Sequence, residues 1–99
     1  MLLAFSIAPS TSETDTGSVS EAVAAAVAVV RASGLPHETT SMFTTLEGEW
    51  DEVMAVVKET VDVVSRYAPR VSLVMKADIR PGYTGQLTAK VQRIDEHLS

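Results

Sequence analysis

The apolar residues switch between two spacings along the chain, and this switching limits the possible folds more than any other feature of the sequence. Residues 2–8 and 71–80 alternate apolar side chains with other side chains, as β-strands do. Residues 23–30, 53–67 and 86–98 instead repeat apolar side chains every three or four positions, as amphipathic helices do. Strands and helices therefore follow one another within a short chain, which predicts a mixed α and β fold.

Two more strands are predicted between the first two helices. His37–Thr40 and Phe43–Glu47 are rich in strand-forming residues and are joined by a tight connection near Ser41. The order is then βαββαβ plus a C-terminal helix. Right-handed crossovers would place both long helices on one side of a four-stranded antiparallel sheet, with the first strand between the third and the fourth. We therefore expect an α+β, ferredoxin-like sandwich, formed as a single domain over residues 1–99.

Local signals predict where several elements begin and end. Pro9 is expected to end the first strand, and residues 10–17, which are rich in turn formers, are expected to form an exposed loop. Ser18 is predicted to cap the first helix, and Gly34 to take a left-handed conformation after it. Asp51 is a predicted N-cap of the second helix.

One face of the predicted sheet, which we call the open face, is not covered by the two long helices. The residues expected on it are Leu2, Ala4, Ser6, Ala8, Phe43, Thr45, Glu47, Ser72, Val74, Lys76 and Asp78. Several of these side chains are apolar, and an exposed apolar patch usually marks an interface. We expect the sheets of two subunits to pack together there, with the terminal helix adding contacts.

Composition argues against several functions. Thirteen acidic and eight basic residues give a net charge of -5, so no broad cationic surface is available for a phosphate backbone, and nucleic acid is not an expected partner. The chain has no cysteine, which excludes disulfides and cysteine zinc sites. Its longest apolar run, residues 22–30, is too short to span a bilayer. We expect a cytoplasmic protein without membrane contact.

Groups suited to catalysis are sparse. His37 and His97 are the only histidines, and neither has the spacing of a metal ligand or of a catalytic base beside a nucleophile. The sequence has no glycine-rich phosphate loop, and no arginine in such a loop near the first strand, which disfavours an acylphosphatase-like enzyme. We expect no enzymatic activity, no metal and no cofactor.

Glu47 is the acidic residue that the pattern places inside a strand on the open face, two positions after Thr45. If a second sheet covers it, its carboxylate must be paired or bound to a ligand, because an unpaired buried charge is costly. Two interpretations remain open. One is an ion pair between Glu47 and Lys76 at a subunit interface. The other is a small-ligand pocket whose floor is formed by Ser6, Thr45, Glu47 and Lys76.

Three segments of the chain together resemble the small thiamine-binding protein family. They are LLAFSIAP at residues 2–9, MFTTLEGEWDEV at residues 42–53, and the segment 68–80, which begins APRVS and ends KADIR. The resemblance covers nearly the whole chain, and Thr-Thr-Leu-Glu-Gly is its most specific part. It differs from the usual family pattern at Ser41 and Phe43, where the family has Pro and Gly. It implies a ferredoxin-like fold, dimers and tetramers, and binding of thiamine or its hydroxymethylpyrimidine portion.

The resemblance predicts a non-catalytic binding protein with its pocket in a homo-oligomer, a tetramer built as a dimer of dimers. Glu47 and the hydroxyls of Ser6, Thr44 and Thr45 match the hydrogen-bonding edge of an aminopyrimidine, and a carboxylate complements the positive thiazolium. Lys76 would then orient Glu47. The alternative is a structural or regulatory homo-oligomeric module that binds no metabolite.

Overall fold

The computed structural model of the chain describes residues 1–10, 16–82 and 84–98, and its elements follow the predicted order. The strands are β1 (Leu2–Ser10), β2 (His37–Thr39), β3 (Thr44–Glu47) and β4 (Arg70–Asp78). The helices are α1 (Thr16–Ala32), α2 (Trp50–Val64) and α3 (Gln86–Leu98). The loop predicted over residues 10–17 falls mainly on residues 11–15, which lie outside the described residues.

The four strands form one antiparallel sheet in the order β2-β3-β1-β4, which confirms the predicted ferredoxin-like α+β fold with an added C-terminal helix. Leu3 pairs with Leu46, whereas the next residue, Ala4, pairs with Thr45 on one side and Lys76 on the other. Because successive side chains of a strand point to opposite faces, this register places the first pair toward the helices and the second on the open face.

The core fills the space between the helix-covered face of the sheet and the two long helices. Its main cluster consists of the buried side chains Leu3, Phe5, Val30, Leu46, Val53, Val56 and Val57. A second, smaller cluster joins Ala22 and Ala26 of α1 to Val64 of α2. The two long helices do not cover the open face, and Val74 at its middle is 56% exposed. In the described part of the chain, no helix combines the length and the apolar content needed to cross a bilayer.

The first strand does not end at Pro9 as predicted but continues to Ser10. β3 pairs with β1 only as far as Phe5, so at Pro9 only β4 remains as a neighbouring strand. Strand edges tolerate proline, because the missing N–H there interrupts no ladder. The prediction that Pro9 ends the strand is therefore wrong, because β1 stays paired with β4 through Ser10.

Both predicted helix starts are also too late, by three residues for α1 and by two for α2. α1 already includes Thr16, ahead of Ser18. α2 begins at Trp50 with Glu49, not Asp51, as its N-cap, because the Glu52 carboxylate accepts a hydrogen bond from the Glu49 backbone N–H at 3.1 Å. At the other end of α1 the prediction is confirmed, since Gly34 has a φ of 77°.

Candidate functional site

Glu47 ends β3 and is held in place by backbone hydrogen bonds on both sides. Its N–H donates to the carbonyl of Pro36 at 2.9 Å, and the N–H of Gly48 donates to the carbonyl of Met1 at 3.1 Å. Its side chain is only 8% exposed and is the one buried acid of the described residues. The strand end therefore fixes a carboxylate in a position where water reaches it poorly.

The Glu47 carboxylate caps the start of α3. Oε2 accepts a hydrogen bond from the Gln86 N–H at 2.9 Å, and Oε1 lies 3.5 Å from the Leu87 nitrogen. Gly85, which precedes the helix with a φ of 67°, has no side chain that could satisfy these N–H groups. Glu47 supplies the missing acceptor from another element, and its charge faces the positive end of the helix dipole.

Lys76 does not neutralise Glu47. Lys76 lies opposite Ala4 in the β1–β4 register and Glu47 lies opposite Leu2 in the β1–β3 register, so the two occupy neighbouring rows with β1 between them. Among the described residues no ion pair joins them. The Glu47–Lys76 pair, one of the two interpretations of the sequence, is therefore not formed within a single subunit.

A cleft of about 240 Å³ opens between α1 and the connection from β2 to β3. We call it the hairpin cleft. It is lined by Phe5, Ser6, Ile7, Val23, Ala26, Val27, Val30 and residues 39–44. Ser6 and Thr44 both belong to this lining, and the Thr39 and Thr44 hydroxyl oxygens lie 3.5 Å apart. The cleft thus combines apolar walls with several hydroxyl groups, the usual composition of a site for a small organic ligand.

The turn beside the hairpin cleft is stabilised by Thr40. Its N–H and its Oγ1 both donate to the Phe43 carbonyl, at 2.8 and 3.1 Å, and the Phe43 N–H donates back to Oγ1 at 3.3 Å. A side-chain hydroxyl therefore closes a turn that has no glycine or asparagine. As a result, Ser41 and Met42 lie exposed at the mouth of the cleft.

A second cleft, of about 360 Å³, lies at the other end of β3. We call it the acidic cleft, because Glu47, Glu49 and Glu52 line it together with Thr84 and Gly85. Three carboxylates make this space unfavourable for phosphate and other anions. In the described residues no group of three or more His, Asp and Glu side chains is arranged to hold a metal ion.

The five predicted site residues are thus found in three places. Ser6 and Thr44 line the hairpin cleft, Glu47 lines the acidic cleft, and Thr45 and Lys76 lie in one row across the open face. The side chains of Thr44 and Thr45 lie on different faces of the sheet, because successive side chains of one strand point in opposite directions. The sequence predictions treated them as one cluster.

The hydroxyl groups of Thr39, Thr40 and Ser41 were not predicted as site residues, although all three line the hairpin cleft. A signal for them exists in the sequence. They form an uninterrupted run of hydroxyl side chains at the turn that precedes Thr44, and a hairpin brings the residues on either side of its turn together.

Comparisons with known proteins add independent information. The family model described as "Thiamine-binding protein" matches residues 3–95. A relative from Mycobacterium bovis, UPF0045 protein Mb1933, is 48% identical over 99 residues, which cover 99% of this chain and 94% of the relative. The solved domain of unknown function DUF77 from Bacillus cereus is similar with a TM-score of 0.81 and 31% identity, over 93% of this chain and 86% of that one. A candidate thiamine biosynthesis/salvage protein from Thermotoga maritima is similar with a TM-score of 0.75 and 25% identity, over 93% and 97% of the two chains.

Proposed function

The chain belongs to the thiamine-binding protein family, and we propose that it is a non-catalytic binding protein for thiamine or for its hydroxymethylpyrimidine portion. The observation that carries the proposal is the hairpin cleft, a concave space with apolar walls and converging hydroxyl groups. His37 supports a binding role over a catalytic one, because it lies on an exposed strand and its Nδ1 is 2.9 Å from the Leu35 carbonyl oxygen.

The hairpin cleft suits an aminopyrimidine for chemical reasons. The edge of that ring carries both acceptor nitrogens and an amino donor, and a hydroxyl group can donate to the former or accept from the latter. Thr39 and Thr44 supply such groups, while Phe5 and Val27 supply apolar surface for the ring. The side chain of Ser6, which pairs with Val74, lies on the open face. The cleft is smaller than the roughly 300–1,000 Å³ of sites for drug-sized ligands, so it fits one heterocycle with the rest of the ligand outside.

A second placement of the ligand is a pocket on the open face, closed by a second subunit. Thr45 and Lys76 flank Ala4 in one cross-strand row there, and Glu47 lies in the next row. This pocket would be incomplete in a single subunit. The hairpin cleft is favoured, because its walls come from one chain and because both oxygens of Glu47 already face α3.

The adjacent threonines of β3 allow the two placements to be separated. Thr44→Val and Thr45→Val remove the same hydroxyl from the same strand and keep the side-chain shape. Isothermal titration calorimetry with thiamine and with hydroxymethylpyrimidine should show binding to Thr44→Val weakened about 2- to 10-fold, the value of one neutral hydrogen bond. Thr45→Val is the matched control and should bind like the wild type.

In the opposite result, the affinity of Thr45→Val for the ligand would fall and that of Thr44→Val would stay unchanged. This outcome would assign the ligand to the open face. Glu47→Gln should keep its affinity for thiamine when the ligand occupies the hairpin cleft, and a clear loss would assign Glu47 to the site. If the wild-type protein gives no heat of binding with either compound, the proposed ligand class is wrong.

A homo-oligomeric interaction module is the second candidate function, and the exposure of Val74 at the middle of the open face favours it. We propose that two subunits pack through their open faces and that dimers pair into a tetramer. A charge at this position would be buried without a partner, so Val74→Glu should yield a smaller species in sedimentation velocity. An unchanged mass would contradict the open-face interface. Loss of assembly in a protein that binds neither compound would identify the module as purely structural.

A further inference from the structure

β1 has a neighbouring strand on its β3 side for only the first half of its length. The ladder between β1 and β3 ends at the pair of Phe5 with Thr44, whereas the ladder between β1 and β4 continues to Ser10. The chain before Thr44 forms the turn from β2 instead of lengthening β3. In the described part of the chain, no strand therefore lies beside residues 6–10 on this side.

The hydrogen bonds at the start of β1 show which of its residues direct their backbone toward β3. The Met1 amino group donates to the Gly48 carbonyl at 2.7 Å, and the Gly48 N–H donates to the Met1 carbonyl at 3.1 Å. In an antiparallel ladder, pairs that exchange both hydrogen bonds alternate with pairs that exchange none. The Met1 pair is continuous with the register at Leu3 and Phe5. Odd-numbered residues of β1 therefore direct their N–H and C=O groups toward β3, and even-numbered residues direct theirs toward β4.

Ile7 is the next odd-numbered residue, and its N–H and C=O point to the side on which β3 has ended. On the other side it lies opposite Leu73, but by the same alternation this pair exchanges no backbone hydrogen bonds. Pro9, the odd-numbered residue that follows, has no N–H to leave unpaired. Within the described residues, Ile7 is therefore the position of β1 that presents both a backbone donor and a backbone acceptor without a strand partner.

This strand edge forms the floor of the hairpin cleft. Phe5, Ser6 and Ile7 all line the cleft. The side chain of Ser6 lies on the open face, so its backbone is the part that reaches the cleft. The side chain of Ile7 packs against the smaller core cluster, which leaves its backbone as the polar surface that it offers. The Thr39 and Thr44 hydroxyl groups line the same cleft, which thus contains a peptide donor and acceptor beside two hydroxyls.

We infer that the backbone of Ile7 binds the ring of the ligand, with its N–H donating to a ring nitrogen and its C=O accepting from an adjacent amino group. The inference rests on the proposed function and names the group that selects the ring. A sheltered backbone donor or acceptor without a partner is costly, so a ligand that pairs with both is favoured. The chemical class selected is a flat ring with an amino group beside an unprotonated ring nitrogen.

A ring with a carbonyl beside a ring N–H has its donor and acceptor exchanged. Such a ring could pair with Ile7 only after turning over, which would place its substituents against the opposite walls of the cleft. Replacement of the amino group of hydroxymethylpyrimidine by an oxo group makes this exchange and changes the shape of the ligand little. The oxo analogue should therefore bind the wild-type protein at least about tenfold more weakly.

The two Ile7 groups are fixed before a ligand binds. The residues on either side, Ser6 and Ala8, are even-numbered and hydrogen-bond to β4 opposite Val74 and Ser72. A donor and an acceptor held by the sheet lose little conformational freedom on binding, whereas each hydroxyl side chain must settle in one rotamer. The backbone therefore sets the orientation of the ring, and the hydroxyl groups add affinity.

Nuclear magnetic resonance of the wild-type amides tests the inference without any substitution. In the ligand-free protein, the Ile7 N–H should exchange at least about tenfold faster than those of Ser6 and Ala8, which donate to β4. Saturation with hydroxymethylpyrimidine should slow the exchange of Ile7 and shift its amide proton downfield. Slow exchange of Ile7 in the ligand-free protein would overturn the inference. Binding that leaves the Ile7 amide unchanged would also overturn it, while the proposed function would stand.

A backbone ester tests the Ile7 N–H alone. An α-hydroxy acid with the isoleucine side chain at position 7 replaces this N–H by an oxygen and interrupts no hydrogen bond to a neighbouring strand. Calorimetric titration should show about 2- to 10-fold weaker binding of hydroxymethylpyrimidine. The same replacement at position 6 is the control, because that N–H faces β4, and it should leave the affinity unchanged. Equal affinities of the two esters would overturn the inference, and no binding to the wild type would refute the proposed function together with the ligand assigned to Ile7.

Discussion

Substitution of Glu47 by glutamine tests how α3 is attached to the sheet. Glutamine keeps the length and shape of the side chain but has one acceptor oxygen instead of two, and it has no charge. In the wild type, one carboxylate oxygen accepts from the Gln86 N–H at 2.9 Å and the other lies 3.5 Å from the Leu87 nitrogen. The substituted side chain can satisfy only one of these groups, and its NH₂ then faces the other.

The size of the effect follows from the geometry. A hydrogen bond to a charged group contributes about 1.5–3 kcal/mol, whereas a neutral one contributes about 0.5–1.5 kcal/mol. The 3.5 Å contact adds little to this difference. The favourable interaction of a carboxylate with a helix N-terminus is about 0.3–1 kcal/mol and overlaps with the same charged bond. The attachment of α3 should therefore weaken by about 1–2 kcal/mol, close to the usual cost of losing an N-cap.

Because α3 contacts the body mainly through its first turn, the loss should appear as local opening and not as global unfolding. Amide hydrogen exchange is the appropriate assay. Protection over α3 should fall about 5- to 30-fold, measured at protein concentrations too low for association. Glu38→Gln is the matched control, because it removes a charge from an exposed position of the same sheet.

Equal exchange in α3 of the wild-type and Glu47→Gln proteins would refute this reasoning. It would mean that water or backbone carbonyls accept hydrogen bonds from the first N–H groups of α3 as well as the carboxylate does. A uniform loss of protection over α2 and β1 would refute it in another way, since Glu47 would then stabilise the core itself.

Two further predictions concern packing. Gly48→Ala should lower the free energy of unfolding by about 1–2 kcal/mol, measured by urea denaturation, because the added Cβ would lie 3.3 Å from Val53 Cγ2 and 3.4 Å from Leu35 Cδ2. An unchanged midpoint of urea unfolding would show that the Leu35 side chain moves away from the added Cβ. Thr60→Val should change stability by less than about 1 kcal/mol, because the fully buried hydroxyl donates at 2.8 Å only to the Val56 carbonyl of its own helix. A loss above about 2 kcal/mol in the same assay would contradict this.

The order of the elements and the two faces of the sheet could be predicted because both depend on local periodicity. The alternation that places Leu3 in the core and Val74 on the open face is a property of the strands themselves. Helix starts depend instead on competition between neighbours. Glu49 and Asp51 can both act as N-caps, and which of them does so depends on the reach of Glu52 back to the backbone.

The partner of Glu47 could not be predicted in the same way. Its position inside a strand on the open face indicated that the carboxylate would be sheltered. The group that binds it is the backbone of Gln86, 39 residues later, and the path of the connection from β4 to α3 has no periodic signal. The lack of a side chain at Gly85 is the only local hint that α3 needs an acceptor from elsewhere.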